Sequence, residues 1–326
     1  MGLNITELTG AKIQAIIDAL QALEPGLVTT TQAGKLAPDA EAIADGFIKL
    51  ATSSNKGLMS KAFAALLEDP SKVVFNDCSV MSTAAYHNSI YRGKNLGSSF
   101  TAEQKAAIAA GTFKDMFIGD FWTIGGVTYR IADFDYWYHY GDTECTTHHV
   151  VIVPDANMLA GNGSSTHWMN ATDTTTGAYV GSDFYTGNNS NNSKATILSA
   201  IKSAFGNGNI LNHREYLTNA VANGKPSAGS WYDSEVEIPN EKMVYGCAPF
   251  TPVSDGSTIP ANYTIDHSQL SLFRLDHSRI CNRARWWLRD PVSGTLFANV
   301  DYYGDCYYLG ASHAWVGVRP VFGIRG

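Results

Sequence analysis

The sequence predicts an α+β protein in which a small helical module precedes a larger domain of strands, helices and long loops. Three observations indicate this. Apolar residues recur at helical spacing over roughly residues 4–67. Near residue 114 the pattern changes to short strand-like runs bounded by glycine or proline. The chain closes with two further strand-like runs, Trp286–Arg289 and Gly317–Phe322. The predicted domains are therefore residues 1–113 and 114–326.

The N-terminal module is predicted to contain three short amphipathic helices, over residues 4–23, 39–50 and about 57–67. Glu24-Pro25-Gly26 ends the first, and Asp69-Pro70 ends the third. Helices of this length are marginal alone in water, so they need a packing partner. An ordinary helical subdomain and an attachment or oligomerisation module are equally good interpretations.

The larger domain begins with a helix and a hairpin. Thr101-Ala102-Glu103-Gln104 has the pattern of a capping box and predicts a helix to about Ala110, which Gly111 would end. Phe117–Ile131 reads as a strand, a Gly-Gly turn and a second strand. His148–Pro154 is predicted to be a buried strand that ends at its proline.

The middle of the domain alternates between loops and helical patterns. Ser193 is the expected N-cap of a helix over Lys194–Phe205. A second helix is predicted over His213–Val221, followed by a loop over Ala222–Gly229. Val236–Tyr245 is predicted to be a strand or turn layer.

Composition excludes several classes of function. Of the 326 residues, 44% are apolar and 16% charged, which is typical of a folded chain. The net charge is −7 and no Lys/Arg cluster occurs, so nucleic acid is not an expected partner. No run is long enough to span a membrane, and the N-terminus lacks the pattern of a secretory signal. The five cysteines show no CxxC spacing, which predicts reduced thiols in a protein made in the cytoplasm.

The closing segment has the composition of a contact surface. Rigid aromatics alternate there with Gly, Asp and Ser, whereas a core would be richer in Leu, Ile and Val. The two strand-like runs would supply a structural frame of Trp286, Trp287, Arg289 and Arg319, with one tryptophan ring in the core and the other facing out. The expected ligand-binding residues lie between the runs: Tyr302, Tyr303, Asp305, Tyr307, Tyr308, His313 and Trp315.

These residues carry a resemblance to known proteins. Trp286-Trp287-Leu288-Arg289-Asp290 with Gly317-Val318-Arg319-Pro320 resembles the WLR…GVRP ending of C-type-lectin-like domains in phage and bacterial proteins. Asn55-Lys56-Gly57-Leu58-Met59-Ser60 is similar to an element of phage tail-fibre and related virion proteins. Ile118-Gly119-Asp120, His148-His149-Val150 and Tyr179–Asp183 resemble structural proteins of tailed phages of Gram-positive hosts.

The resemblance implies a fold and a role. Two helices, an antiparallel sheet and long loops would form the domain, and its terminal strands would pair with the early hairpin. The role implied is that of a phage virion structural protein, of the tail-fibre, receptor-binding or head-fibre type, that attaches to a host-surface glycan or protein. Its partners would be other virion proteins and sister copies, with a trimer as the expected oligomer. The alternative is a purely architectural fibre, decoration or tail subunit.

Some members of such families diversify this segment through a retroelement that mutates adenines. Residues reachable from Asn codons would then be enriched. The residue types in the closing segment fit that expectation: Asn299, Asp301, Tyr302, Tyr303, Gly304, Asp305, Cys306, Tyr307, Tyr308, Ser312 and His313.

The sequence does not predict an enzyme, a resident cofactor or a metal. His148 and His149 are adjacent in a strand and face opposite sides, so one is expected buried and hydrogen-bonded and the other exposed. Asp133, Asp135 and Asp142 beside Tyr136-Trp137-Tyr138 are expected to form a binding or structural loop rather than a hydrolytic carboxylate pair.

Two further charged groups have a structural interpretation. Glu237-Ile238-Pro239-Asn240-Glu241 departs from the Glu-Pro-Asn motif of calcium-dependent lectins, and calcium held by oxygen ligands remains an open alternative. Arg289 and Arg319 are expected to be buried pins of the fold, with Asp290 or Glu241 as partners.

Overall fold

The computed structural model describes residues 84–161, 168–170, 172–187, 193–222, 225–251 and 269–326. The chain divides into two compact units, Met1–Phe75 and Asn76–Gly326, and all described residues belong to the second. The three helices predicted before residue 70 and the Asn55–Ser60 motif lie outside the described residues.

The second unit is α+β, as predicted. Its helices are α1 (Ala84–His87), α2 (Ala102–Ala109), α3 (Asp183–Thr186), α4 (Lys194–Phe205), α5 (Glu241–Tyr245) and α6 (Ser271–Leu275). Its strands are β1 (Asn95–Gly97), β2 (Phe121–Ile124), β3 (Val127–Phe134), β4 (His149–Pro154), β5 (His213–Ala222), β6 (Lys225–Ser234), β7 (Trp286–Pro291), β8 (Leu296–Val300), β9 (Cys306–Gly310) and β10 (Phe322–Arg325).

The main sheet has the order β1-β2-β3-β4-β10. Strands β2 and β3 form the predicted hairpin, and Gly125 and Gly126 in its turn both have positive φ, which matches the twist of the flanking strands. All six residues of β4 are buried, so both faces of the sheet are covered there. Strand β10 pairs with β4 and not with the hairpin, which corrects the expected closure of the domain. The closing run is also shorter as a strand than predicted: Gly317–Val321 makes only isolated bridges.

The helix α2 joins the same core. Thr101 and Gln104 form the predicted capping box, and the Gln104 side chain also accepts a hydrogen bond from the Trp122 indole at 3.0 Å. Ile108 and Phe113 are buried in the core cluster that contains the main sheet. Residues 84–113 therefore pack with the larger domain, and the predicted boundary at 113/114 does not separate two cores.

Helix α4 has the predicted bounds. Ile197, Ile201 and Phe205 form its buried face. The Phe205 ring meets the rings of Trp122 and Phe322 with centroid distances of 5.8 Å each. This packing attaches α4 to both the first hairpin and the last strand.

Two local predictions in the middle of the domain are wrong. His213–Val221 is the strand β5 rather than a helix, and most of the predicted loop that follows lies in its partner β6. The reason is visible in the burial pattern, because His213, Glu215 and Leu217 alternate inward with period two. Residues 241–245 form the helix α5, whose N-terminus is capped by the Asn240 side chain.

Strands β7, β8 and β9 form a separate antiparallel sheet with β9 at its edge. Trp286 and Trp287 are both fully buried, so the expectation that one ring faces out is wrong. Trp286 stacks near Phe273, and Trp287 meets Phe297 edge-on from the opposite face of the strand. Strand β7 is covered on both sides, and so both rings enter the core.

The two buried arginines are structural pins, with partners that differ from those expected. Arg289 donates to Glu215 Oε1 at 3.0 Å, which links β7 to β5. Burial alone would raise the pKa of Glu215, but the charge of Arg289 and the neighbouring His213 together outweigh it and lower that pKa to about 2. Arg319 donates to the carbonyl oxygens of Pro154 and Arg279. Burial lowers its pKa to about 10.

His149 is held neutral in the core. Its Nδ1 lies 2.8 Å from the Thr147 carbonyl oxygen, and its Nε2 accepts the Trp137 backbone N–H at 3.1 Å. Protonation of Nε2 would place its N–H against the Trp137 backbone N–H, so that two hydrogen-bond donors would face each other. Burial lowers the pKa of His149 to about 3. His148 is partly exposed and pairs with Asp135 at 2.7 Å, so the pair of histidines divides much as expected.

A group whose folded pKa is depressed below its unfolded value destabilises the fold as the pH falls. Between pH 6.5 and 3 the unfolded chain binds a proton at His149 that the folded chain does not. We expect the free energy of unfolding to fall over this window, and to fall less steeply in His149→Gln. Denaturant titrations at several pH values would measure the difference. Parallel slopes in the two proteins would contradict the assignment.

Candidate functional site

Large aromatic side chains are concentrated at one place on the surface. Among the described residues, six large hydrophobic side chains are exposed, and five of them fall within Asp301–Trp315; the sixth is Tyr140. Exposed apolar groups so concentrated are typical of interaction sites. We call these five residues the aromatic face: Tyr302, Tyr303, Tyr307, Tyr308 and Trp315.

Tyr302 and Tyr303 lie in the turn between β8 and β9. Asp301 Oδ1 accepts the backbone N–H groups of Tyr303 and Asp305, at 2.7 and 3.0 Å. Gly304 occupies a left-handed conformation, φ 96°, that suits glycine. The Tyr245 hydroxyl donates to the Gly304 carbonyl oxygen at 2.9 Å. The turn is thus tied both to itself and to α5, and Asp301 acts by positioning its neighbours.

The edge strand β9 presents the next two tyrosines. Tyr307 and Tyr308 are both exposed, and their rings lie nearly parallel with centroids 5.4 Å apart. Tyr308 also contacts Phe250 edge-on. β8 pairs with β9 on one side, and no described strand pairs with the other. The strand therefore offers aromatic side chains next to open backbone groups.

An open pocket of about 880 Å³ lies beside the aromatic face. It collects four of the predicted ligand-binding residues, namely Tyr302, Tyr307, His313 and Trp315. Tyr303, Asp305 and Tyr308 are exposed but do not line it. The remaining lining residues are Ala156, Asn157, Ala160, Gly161, Arg283, Ala284, Arg285 and Leu309.

The two arginines are the functional candidates that sequence reasoning missed. Arg283 and Arg285 flank Ala284 immediately before β7. In the sequence they directly precede Trp286, the first residue of the buried frame. Arg283 is exposed and Arg285 is half-buried. The available signal was their spacing, because two arginines separated by one residue at the start of a strand can face the same side.

Backbone contacts hold this arginine segment in place. The Asn157 side chain donates to the Arg285 carbonyl oxygen at 2.9 Å, and the Gly317 N–H donates to the same oxygen at 2.9 Å. Asn282 donates to the Asn157 side-chain oxygen at 2.8 Å. Because these bonds use main-chain and amide groups, the guanidinium groups are left for other contacts.

His313 completes the polar lining. Its Nδ1 atom is buried and has no hydrogen-bond partner among the residues that the structure describes. Burial lowers the pKa of His313, and the positive charge of Arg285 lowers it further. A neutral ring in this position can accept or donate a hydrogen bond to a ligand.

The other sequence candidates are engaged inside the fold. Asp133 is buried and accepts from Asn88 and from the Ser271 backbone, and burial raises its pKa to about 6. Asp142 pairs with Arg214 at the surface. Glu237 accepts from Lys194 and Tyr179, at 2.6 and 2.7 Å, so protein donors surround this carboxylate. Asn299 of the predicted variable set is fully buried and cannot belong to a displayed surface.

No protein-family model matches the chain, and neither the curated proteins nor the solved structures contain a match. The case for function therefore depends on the geometry of the site. In the described ranges, no group of three or more His, Cys, Asp or Glu side chains could hold a metal ion. No helix in the part of the chain that the structure describes is long and apolar enough to cross a membrane.

Gly161 sets how closely two loops approach at the pocket. A Cβ atom there would overlap the Trp315 carbonyl oxygen and carbon, which are backbone atoms that cannot move aside cheaply. We expect Gly161→Ala to lower the free energy of unfolding by about 1–3 kcal/mol through overpacking.

Gly208→Ala is the matched control, because a Cβ there meets nothing within 4 Å and its φ is not left-handed. Denaturant unfolding of both variants would test the expectation. Equal midpoints in the two would show that the loops do not meet as described.

Proposed function

We propose that the chain is a phage virion structural protein whose larger domain attaches to a host-surface glycan or protein. The observation that carries the proposal is the aromatic face, in which five exposed aromatic side chains lie on one supported turn, one edge strand and the loop that follows. Aromatic anchors beside small polar groups are the residues that dominate binding surfaces.

The domain carrying this face is proposed to be C-type-lectin-like. In support, the last strand lies in the same sheet as the early hairpin, with β4 between them. Helix α2 contacts the end of β10, since a Cβ at Gly326 would meet Lys105 and Ala109. Gly326 thus lies against the helix that precedes the hairpin. The second small sheet, β7-β8-β9, ends in strand β9, which lies within the displayed segment, Asp301–Trp315.

The binding mechanism proposed is apolar stacking with polar orientation. Tyr307 and Trp315 can pack against the faces of sugar rings or against apolar groups of a protein receptor. Asn157, His313 and the two pocket arginines can supply hydrogen bonds at the rim. Single contacts of this kind are weak, and several copies on one particle would multiply them.

We expect the double variant Tyr307→Ala/Trp315→Ala to lose at least about tenfold in affinity for the host surface, as hot-spot truncations do. Labelled full-length protein would be titrated onto a glycan array and onto cell walls from a panel of Gram-positive bacteria.

Tyr140→Ala is the control, because Tyr140 is 37% exposed and is not part of the aromatic face. Unchanged binding by the double variant to a surface that the wild type binds would reject the aromatic face as the attachment site.

A purely architectural role is the second candidate, and the edge strand β9 favours it. An exposed edge with aromatic side chains is also a surface on which a neighbouring subunit can pack. Native mass spectrometry with imaging of particles distinguishes the two. A stable oligomer that buries β9, with no binding on array or cell walls, would favour the architectural role.

A further inference from the structure

The arginines of the pocket differ from every other arginine in the described part of the chain. Eight arginines donate a side-chain hydrogen bond or pair with an acceptor: Arg92, Arg130, Arg214, Arg274, Arg279, Arg289, Arg319 and Arg325. Within those same residue ranges, the guanidinium groups of Arg283 and Arg285 have neither a hydrogen bond nor an ion pair. A half-buried cation without a counter-ion carries a desolvation cost that a bound anion would offset.

The backbone at this place is also unusual. Arg283 has φ 61°, a left-handed conformation that is uncommon for residues other than glycine, asparagine and aspartate. The Asn282 side chain stabilises the bend by accepting the Ala284 N–H at 3.1 Å. Strained backbone of this kind is often found at binding sites, where the surrounding contacts hold it. Here it holds two cations, separated by one residue, at the same pocket.

The rest of the lining carries neutral groups only. None of the described lining residues is an aspartate or glutamate. The pocket lining is therefore positively charged, whereas the whole chain has a net charge of −7. Asp173, outside the lining, acts on His313 and accepts the Ser312 N–H. A local cationic site in an acidic protein favours a ligand whose own negative charge reaches the arginines directly.

We infer that this pocket binds an acidic saccharide or polyol, with its carboxylate or phosphate on Arg283 and Arg285 and its carbon skeleton against Tyr307 and Trp315. The inference depends on the proposed attachment function and names its ligand class. Guanidinium groups match carboxylate and phosphate in a planar, two-bond geometry. A volume of about 880 Å³ is that of a site for a short oligomer rather than a single small ion.

Calorimetric titration of the full chain tests the ligand class with three probes. A trigalacturonate carries carboxylates, a short poly(glycerol phosphate) carries phosphates, and a neutral galactose trisaccharide carries neither. We expect at least one acidic probe to bind at least tenfold more tightly than the neutral one. We also expect that affinity to fall as the salt concentration rises. The stronger of the two acidic probes identifies the acid. Equal affinity for all three, or no binding by either acidic probe, would overturn the inference.

The variant Arg283→Gln/Arg285→Gln tests the site. It should lose at least tenfold in affinity for the acidic probe and most of the salt dependence. Arg325→Gln is the matched control for Arg283→Gln, because each removes one positive charge from an exposed residue and Arg325 does not line the pocket. Arg283→Gln alone serves if the double variant unfolds, since Arg283 is exposed at the surface. Retained binding in a folded arginine variant would overturn the inference.

These outcomes separate the two proposals. If the aromatic variant loses cell-wall binding while the arginine variant keeps it, attachment stands and the acidic ligand is wrong. If an acidic probe binds through the arginines but no cell wall is bound, the pocket chemistry stands and host attachment is wrong.

Discussion

The buried pair of Arg289 and Glu215 is the interaction on which the arrangement of the domain depends. It connects β7 of the three-stranded sheet to β5 of the two-stranded sheet, and both side chains are almost fully buried. Removal of either partner would leave an uncompensated charge in the core, which costs about 3–5 kcal/mol. The Trp286 and Trp287 rings lie on the two sides of the same strand. One strand thus joins the core layers, β8 is buried beside it, and the edge strand β9 carries the exposed side chains.

The residues of the candidate site are attached to this rigid frame on two sides, before β7 and after β8. Arg283 and Arg285 immediately precede β7, and the aromatic turn follows β8. Gly317 bridges to Trp286 and its N–H holds the Arg285 carbonyl oxygen, so the last loop is attached to the start of the strand. Substitution on the displayed segment would leave these bonds intact. Asp301 and Gly304 are the exceptions, because the turn needs the carboxylate acceptor and the left-handed φ.

The sequence predicts local structure correctly where the stabilising interactions join residues that are close in sequence. The capping box of α2, the Gly-Gly turn between β2 and β3, and the bounds of α4 each follow from a few neighbouring residues. The prediction of a helix over β5 fails because this strand is stabilised by pairing with β6, and its inward positions include polar His213 and Glu215. A hydrophobic pattern cannot reveal an inward glutamate whose partner, Arg289, lies far along the chain.

The sequence by itself determined the α+β class, the strand-like frame around the closing segment and the exposure of its aromatics, because tyrosine-rich runs among Gly and Asp do not form a core. Only the tertiary structure decided which of them converge. Tyr302, Tyr307, His313 and Trp315 share a pocket, whereas Tyr303, Asp305 and Tyr308 point elsewhere on the surface. Within the described residues, it also pairs the guanidinium groups of Arg289 and Arg319 with acceptors and leaves those of Arg283 and Arg285 without one. Such a distinction depends on partners distant in sequence, which only the folded chain brings within hydrogen-bond distance.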